Sequence, residues 1–382
     1  MSNIIIGIDA SRNRSGGAID HMIGIMTDVD PLAHGIRKIH VWAYKNLLDK
    51  LPNEPWLIKH NPPELEKSLF QQVWWQYHHL PRELRKHKCD ILFASDAGTV
   101  CQFHPMVVFS QDALSYEPGV IKYFGFTLAR LRLILLFFIQ NRSMRCAEGV
   151  IFLTKYAANL IQHSTGKLKR TAVIPHGIDR GFSKQSPQRS WPEDREQSIR
   201  CIYLSNVAMY KNQWVVVRAV KILRDRGFNI ELLLVGSGDN GRAQRLLDDE
   251  IAFSDPDGSF VKSVGFVRHE DLPSLIASSN VFIFASSCET ISITLLEGMA
   301  VGLPIACSNR GPMPEVLGDG GVYFDPKDAD SIAAAVEDII ITPDLRVTIA
   351  QRAKGLSEQY TWERCSSSTW RFLRDCVTNN AT

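Results

Sequence analysis

The sequence predicts an α/β protein of two parallel-sheet domains, on three observations. Short apolar runs recur along the chain without the alternation of a half-exposed strand, which suits parallel strands covered on both faces. Stretches of helical length separate them, and such strand–helix alternation is the pattern of a parallel sheet flanked by helices. The third observation is size: 382 residues, 45% of them hydrophobic, exceed one ordinary core and are ample for two.

Composition excludes several classes. A net charge of +2 gives no footprint for nucleic acid. The eight cysteines are scattered with no Cys-x-x-Cys pair, so neither a cysteine zinc site nor a disulfide framework is written here. Reduced thiols and a cytoplasmic location are the simpler expectation. The start, MSNIIIGIDA, has no basic region and enters a strand at once, so no signal peptide is expected. The longest unbroken apolar run, Leu133 to Ile139, is too short to span a bilayer.

In chain order, Ile4 to Ile8 is an apolar run ending in Asp9, followed by a loop with Ser15, Gly16 and Gly17 and a helical stretch from Ala18 to Met26. This is the first turn of a Rossmann-like domain, where adjacent glycines let the backbone approach a ligand. A tight turn would use the same two glycines. Further strands are expected at Ile39 to Ala43, Trp56 to Lys59, Ile91 to Ser95, Met106 to Ser110 and Val150 to Thr154, with long helices at Pro63 to Lys86 and Val120 to Cys146.

The segment Phe126 to Arg145 sets an apolar stripe (Leu128, Leu131, Leu135, Phe138) beside Arg130, Arg132, Arg142 and Arg145. Such a helix lies on an anionic membrane surface, or packs its stripe on a core with the arginines in water. Trp74, Trp75 and Tyr77 read as core or as lining of an acceptor cleft.

The strand near Thr171 closes with Pro175, His176 and Gly177, and the polar stretch Ser183 to Gln197 fits a hinge and surface loop. The expected domains are residues 1–176 and 177–364, with 365–382 as a closing helix. A second alternating set follows: Cys201 to Leu204, helix Gln213 to Arg226, Ile230 to Val235, helix Arg242 to Ile251, Phe260 to Val264 and helix His269 to Ala277. Beyond the central stretch described next come strand Val322 to Phe324, helix Ala329 to Ile340 and two more helices.

Between them lies VFIFASSCETISITLLEGMAVGLPIACSN, Val281 to Asn309. It reads as strand Val281 to Ala285, a polar loop, helix Thr290 to Ala300 ended by Gly302 and Pro304, and strand Ile305 to Cys307. Ligands of open α/β sheets sit at the carboxyl ends of strands, so the loop is a place for chemistry. The helix start would hold an anion such as phosphate at Ser292, Ile293 and Thr294. Glu297 is placed to accept hydrogen bonds from vicinal ribose hydroxyls. Glu289 and Glu297 have seven residues between them, a separation that chance alone produces about once in a chain this long.

A resemblance decides more. The succession IPHGID, YLSNVAMYKNQ, LLLVGSGDNG, VGFVRHEDLPSLIASSNVFIFAS and CETISITLLEGMAVGLPIACSNRGPMPEVLGDGGVYFDP resembles the C-terminal half of a family 4 glycosyltransferase of the GT-B fold, in order and spacing. The N-terminal half is similar more loosely, through its first strand and glycine loop. The closing YTWERCSSSTWRFLRDCV resembles the helices that end such proteins, the last of which crosses back to the N-terminal domain. The resemblance implies two Rossmann-like domains whose sheets face each other across a cleft that holds the site. It implies a retaining transfer of a hexosyl unit from a UDP- or GDP-linked sugar to a saccharide or lipid-linked saccharide, at the cytoplasmic membrane face, in cell-surface polysaccharide or glycolipid synthesis.

By the same resemblance, Lys211 grips the donor diphosphate, with Asn206, Gly16 and Gly17 beside it. Glu289 stands by the transferring sugar, Glu297 on the ribose and Val267 on the nucleobase. A fixed cation stabilises the departing phosphate without a metal. The chain departs from the family pattern in three places. Ser205 and Asn206 stand for a Gly-Arg pair, so the partner arginine is missing, with Arg12 and Arg14 as candidate substitutes. Gln111 and Asp112 stand for His-Asp, leaving Asp112 or the departing phosphate oxygen as the base. Glu289-Thr290-Ile291-Ser292 keeps the acid of Glu-Gly-Phe-Gly and loses its glycines.

Three Asp-x-Asp triplets, Asp28-Val29-Asp30, Asp255-Pro256-Asp257 and Asp328-Ala329-Asp330, fall in loops or helix starts, where aspartate caps. No cofactor beyond the nucleotide sugar and no metal is expected. Two other readings remain: a sugar-nucleotide 2-epimerase of similar fold, which would need acid/base carboxylates and histidines in the N-terminal cleft, and a non-catalytic partner of another transferase, which the missing Arg and His positions make thinkable.

Overall fold

The structure is a computed structural model that describes residues 3–14, 16–27, 30–194, 197–238 and 241–378. Ser15 of the glycine loop and Asp28 and Val29 of the first Asp-x-Asp triplet lie outside them. The chain divides into two compact units, Met1–Gly177 with Tyr360–Thr382, and Ile178–Gln359.

Unit 1 is built on seven parallel strands: β1 (Ile4–Asp9), β2 (Ile36–Trp42), β3 (Leu57–His60), β4 (Ile91–Ala94), β5 (Met106–Ser110), β6 (Gly149–Phe152) and β7 (Thr171–Val173). Their order is β3-β2-β1-β4-β5-β6-β7. The helices are α1 (Gly17–Thr27), α2 (Lys45–Leu48), α3 (Leu69–His78), α4 (Leu80–Lys86), α5 (Leu128–Cys146) and α6 (Lys155–Thr165). The strands β1, β4, β5 and β6 are buried along their whole length, which is why they read as unbroken apolar runs.

Unit 2 adds α7 (Arg180–Ser183), β8 (Ile199–Leu204), α8 (Gln213–Asp225), β9 (Ile230–Val235), α9 (Arg242–Ser254), β10 (Val261–Gly265), α10 (Leu272–Ala277), β11 (Val281–Phe284), α11 (Ile293–Val301), β12 (Ile305–Ser308), α12 (Met313–Leu317), β13 (Gly321–Phe324), α13 (Ala329–Ile341) and α14 (Pro343–Ser357). Its six parallel strands run β10-β9-β8-β11-β12-β13. In both units the order reverses beside the first strand, at the β1/β4 and β8/β11 boundaries. That reversal opens a crevice at the carboxyl ends where ligands of doubly wound sheets bind.

The last helix, α15 (Trp362–Thr378), belongs to unit 1. Trp370, Leu373 and Cys376 are fully buried, the Trp362 indole lies against His21 and His176, and Ser366 Oγ donates to the Gly24 carbonyl at 3.3 Å. All eight cysteines are free thiols, and Cys146 is the exposed one.

Three expectations need correction. The long helices are interrupted. Pro63–Glu66 is a 3-10 turn, Ser68 starts α3 with a capping box to Gln71, and Pro81 sits in the first turn of α4. Likewise Val120–Phe124 is a separate 3-10 turn, closed by Gly125 at φ +52° before Thr127 caps α5. The aromatic trio does not act together: Trp75 is buried, whereas Trp74 and Tyr77 are about half exposed. On α5 the apolar stripe itself faces outward, with Leu128 85%, Leu135 55% and Phe138 64% exposed. The helices α2, α7 and α12 went unread because each is only four or five residues long, and the 11-residue α6 was also missed.

Candidate active site

The loop after β8 and the loop after β11 flank the reversal point of the second sheet, and they carry Lys211 and Glu289. Backbone bonds tie the loops together. Asn212, held in the left-handed region at φ +53°, donates from Nδ2 to the Ala285 carbonyl at 2.8 Å and to the Tyr210 carbonyl at 3.1 Å. Ser287 donates from both N and Oγ to the same Tyr210 carbonyl, at 2.8 and 3.1 Å. Tyr203 fixes the next peptide, its hydroxyl donating to the Lys211 carbonyl at 2.6 Å.

Held this way, the Lys211 ammonium forms a direct ion pair with Glu289 Oε1. Both side chains are largely shielded, 11% and 14% exposed. The ammonium also lies 5.4 Å from the Tyr210 ring centre and 5.7 Å from that of Phe284, so aromatic faces complete its surroundings. A shielded cation with one carboxylate partner at a strand end suits a diphosphate that arrives carrying more negative charge.

The helix α11 starts three residues later than the sequence pattern suggested. Ser292 is its N-cap, its hydroxyl accepting from Leu295 N at 3.3 Å and lying 3.1 Å from Thr294 Oγ1. Thr290 and Ile291 therefore belong to the loop with Glu289, and Ile293 and Thr294 form the first turn, the part of a helix whose N–H groups lack an intrahelical acceptor. Glu297 is buried within the helix, and its Oε1 is 3.1 Å from His269 Nε2. His269 is half exposed, packs edge-on against Phe182 at 5.3 Å, and follows Val267 in the loop after β10.

Lys211, Glu289, Ser292, Ile293, Thr294, Glu297 and Val267 thus all sit in unit 2, on loops or helix starts that follow strands, except Glu297, which lies inside α11. Asn206 is exposed on the loop after β8, while its neighbour Ser205 is buried and accepts from Gln213 Nε2 at 3.0 Å. His269 is the site residue that sequence reasoning missed. Its partner lies 28 positions on, and no periodic pattern links a loop histidine to a helix glutamate.

The unit 1 candidates sit on its own strand ends. Gly16 adopts φ +55° and its carbonyl accepts from Ile19 N at 2.9 Å, so this glycine serves the turn, and Gly17 opens α1. Asp112, in the loop after β5, accepts from Leu114 N at 2.8 Å. Burial, reinforced by Asp96, raises its pKa above the usual carboxylate range. Both arginines of the glycine loop are engaged within unit 1. Arg12 donates to the Gly98 carbonyl at 3.0 Å, and Arg14 donates to the Leu65 carbonyl and stacks 5.2 Å from Tyr44.

Of the described aspartates of the three triplets, three act as caps or loop ties. Asp30 and Asp328 accept from the first turns of their helices, and Asp255 accepts from the backbone of Ser259, Phe260 and Val261.

A family model described as Glycosyl transferases group 1 matches residues 185–356, the span that contains Lys211, Glu289 and Glu297. The chain is 34% identical over 110 residues to the O-antigen chain mannosyltransferase B of Escherichia coli, an alignment covering 29% of this chain and only 29% of that protein. It is 22% identical over 300 residues to the capsular polysaccharide biosynthesis glycosyltransferase CapM of Staphylococcus aureus, covering 73% of this chain and 74% of that one. Among solved structures, HepE of Anabaena in complex with UDP-glucose shares the fold with a TM-score of 0.72 at 19% identity, over 98% of this chain and 100% of the other.

Proposed function

We infer that the chain belongs, through residues 185–356, to the glycosyl transferases group 1 family, with the Rossmann-like units of a GT-B fold. From that premise we propose that it moves a hexosyl unit from a nucleoside diphosphate sugar to a hydroxyl of a saccharide or lipid-linked saccharide, with retention, in surface polysaccharide or lipopolysaccharide synthesis. The observation that carries this reading is the shielded Lys211–Glu289 pair at the reversal point of the second sheet.

In this reading the donor diphosphate lies between Lys211 and the first turn of α11, where ammonium, N–H groups and helix dipole all favour negative charge. As the bond from the anomeric carbon to the diphosphate oxygen breaks, the leaving group gains charge and Lys211 stabilises it in place, so no metal is required. The acceptor hydroxyl bonds to the anomeric carbon, and its proton passes to the departing phosphate oxygen. Asp112, protonated more readily than an ordinary carboxyl, is the other candidate to take part in that proton transfer. Glu289 contacts the transferring sugar once the diphosphate competes for its lysine, and Glu297, steadied by His269, accepts from the ribose hydroxyls with the base near Val267.

For the acceptor side we propose contact with an anionic membrane surface through α5, whose outward Leu128, Leu131, Leu135 and Phe138 are interleaved with Arg130 and Arg132. No helix among the described residues is long and apolar enough to cross a membrane.

The deciding experiment is thermal stabilisation by a panel of UDP- and GDP-sugars, for the native chain and for Glu297→Ala. A ligand that binds only the folded state raises its midpoint. The expected result is a shift with one nucleotide series that disappears in the variant. No shift with any of them at millimolar concentration would overturn the donor assignment and leave the non-catalytic reading.

A further inference from the structure

We propose that unit 1 binds a zinc ion through His40, His60 and His87, at a site distinct from every residue assigned a transferase role. The three come from different elements: His40 from within β2, His60 as the last residue of β3, and His87 as the residue closing α4. Each directs a ring nitrogen into one small space, and the three atoms lie within 4.8 Å of one another. Around a tetrahedral zinc with Zn–N bonds of about 2.0–2.1 Å, ligand nitrogens stand roughly 3.3 Å apart. His40 Nδ1 and His60 Nε2 are already 2.9 Å apart, so small rotations admit the ion.

The rings are held for this. His40 and His60 stack with centres 5.2 Å apart and planes 12° apart, and Trp42 stacks on His60 at 4.7 Å and 12°. The third ring, His87, closes the group at 4.5 Å from His40 and 4.8 Å from His60. Preset ring orientation lowers the entropy cost of assembling the ligands.

Glu83 Oε2 lies 3.4 Å from His87 Nε2, where it steadies the third ring from outside the three-nitrogen group. Three imidazoles in a compact group form a donor set that suits zinc over magnesium or calcium, which take oxygen alone, with water free to fill the fourth position. His40 is buried, whereas His87 and Glu83 are 26% and 33% exposed, which leaves the site open to solvent on one side. Because β3 is the four-residue edge strand of its sheet, an ion here would clamp that edge to β2 and to the end of α4. A packed imidazole stack with no ion is the alternative, and it predicts no metal affinity.

The test uses the full chain without a histidine tag, stripped with chelator and titrated with zinc by calorimetry and thermal unfolding, with Co²⁺ as a spectroscopic substitute. The expected result is one equivalent of zinc, a raised unfolding midpoint, and the intense visible absorption of tetrahedral cobalt. His87→Gln and His60→Gln should each weaken zinc by at least about tenfold, and His87→Gln, at a partly exposed position, should leave the metal-free midpoint unchanged. Absence of zinc uptake by the native chain, or uptake undiminished in both variants, overturns the proposal. Both readouts are independent of sugar transfer, so failure of the transferase reading would leave this one standing.

Discussion

Lys211 and Glu289, 78 positions apart in the chain, share an ion pair in which both side chains are largely shielded. Removing one partner leaves the other shielded without a counter-ion, which costs about 3 kcal/mol where burial is nearly complete. We predict that Lys211→Ala lowers turnover by about two orders of magnitude, as loss of a charge-stabilising donor does, and also lowers the unfolding midpoint. The double variant Lys211→Ala/Glu289→Ala should regain stability and remain inactive. Thermal midpoints and turnover of the two single variants and the double variant check both halves.

The contact of His269 Nε2 with Glu297 Oε1 at 3.1 Å gives a second expectation. In the proposed reading the histidine steadies a carboxylate that would meet the ribose in ground state and transition state alike, so its loss would be a uniform binding loss. His269→Ala should raise the donor KM several-fold with kcat little changed. An equal fall in kcat would place His269 at the reacting centre instead.

Acid stability depends on a buried pair. His21 Nδ1 lies 3.1 Å from His176 Nδ1, and His21 Nε2 has no hydrogen-bond partner among the described residues. Burial lowers both imidazoles, His176 to about 3, while His21 is lowered further by His176. The unfolded chain protonates them near the ordinary histidine value of about 6.5 and the folded chain does not, so stability falls as pH drops below that value toward 3. The slope is up to about 1.4 kcal/mol per pH unit for each histidine. Urea midpoints from pH 7 to 4.5 should decline less steeply for His176→Gln than for the native chain.

Two glycines should respond in opposite directions to alanine. A Cβ on Gly24 would stand 2.2 Å from the Trp362 ring, so Gly24→Ala must displace the start of α15 and should cost about 1–3 kcal/mol. Gly355 lies inside α14 with nothing within 4 Å of a new Cβ, and Gly355→Ala should stabilise by about 0.5–1 kcal/mol. Differential scanning calorimetry of the two variants reads both signs.

The outward stripe of α5 supplies a fifth expectation. Leu131 and Leu135 are half exposed, so a charge at either leaves the fold intact. Leu131→Glu with Leu135→Glu should abolish co-sedimentation with vesicles of anionic lipid at low salt, without moving the unfolding midpoint. Equal sedimentation of native and variant protein would remove α5 from the membrane reading.

Much of the architecture was legible because buried parallel strands leave a local mark. Ile91 to Ala94 and Val281 to Phe284 are apolar at each position since both faces of the sheet are covered. Breaks within long helical patterns were not legible from periodicity. The Ser68–Gln71 capping box and the left-handed Gly125 act through one or two residues inside a pattern that otherwise continues. The start of α11 moved for the same reason, since Ser292 takes the cap and leaves Thr290 in the loop. Glu289 came to notice through its place in the loop after an apolar strand and Lys211 through family likeness, for nothing local in either segment announces the other. His40, His60 and His87 left no signal, because their meeting depends on strand order and on the length of α4.

Unit 1 is assembled from the two ends of the chain, with α15 seated on Gly24, His21 and Gly149. A ribosome makes the whole of unit 2 between them, a delay on the order of ten seconds or more at about 5–20 residues per second. Throughout that interval the N-terminal sheet exists with the seat of Trp370 and Leu373 uncovered, whereas unit 2, a single continuous segment, completes its own core first. The core of unit 1, begun first, therefore has to wait for the last-made segment to be covered, whereas unit 2 has all of its own residues before that segment is made.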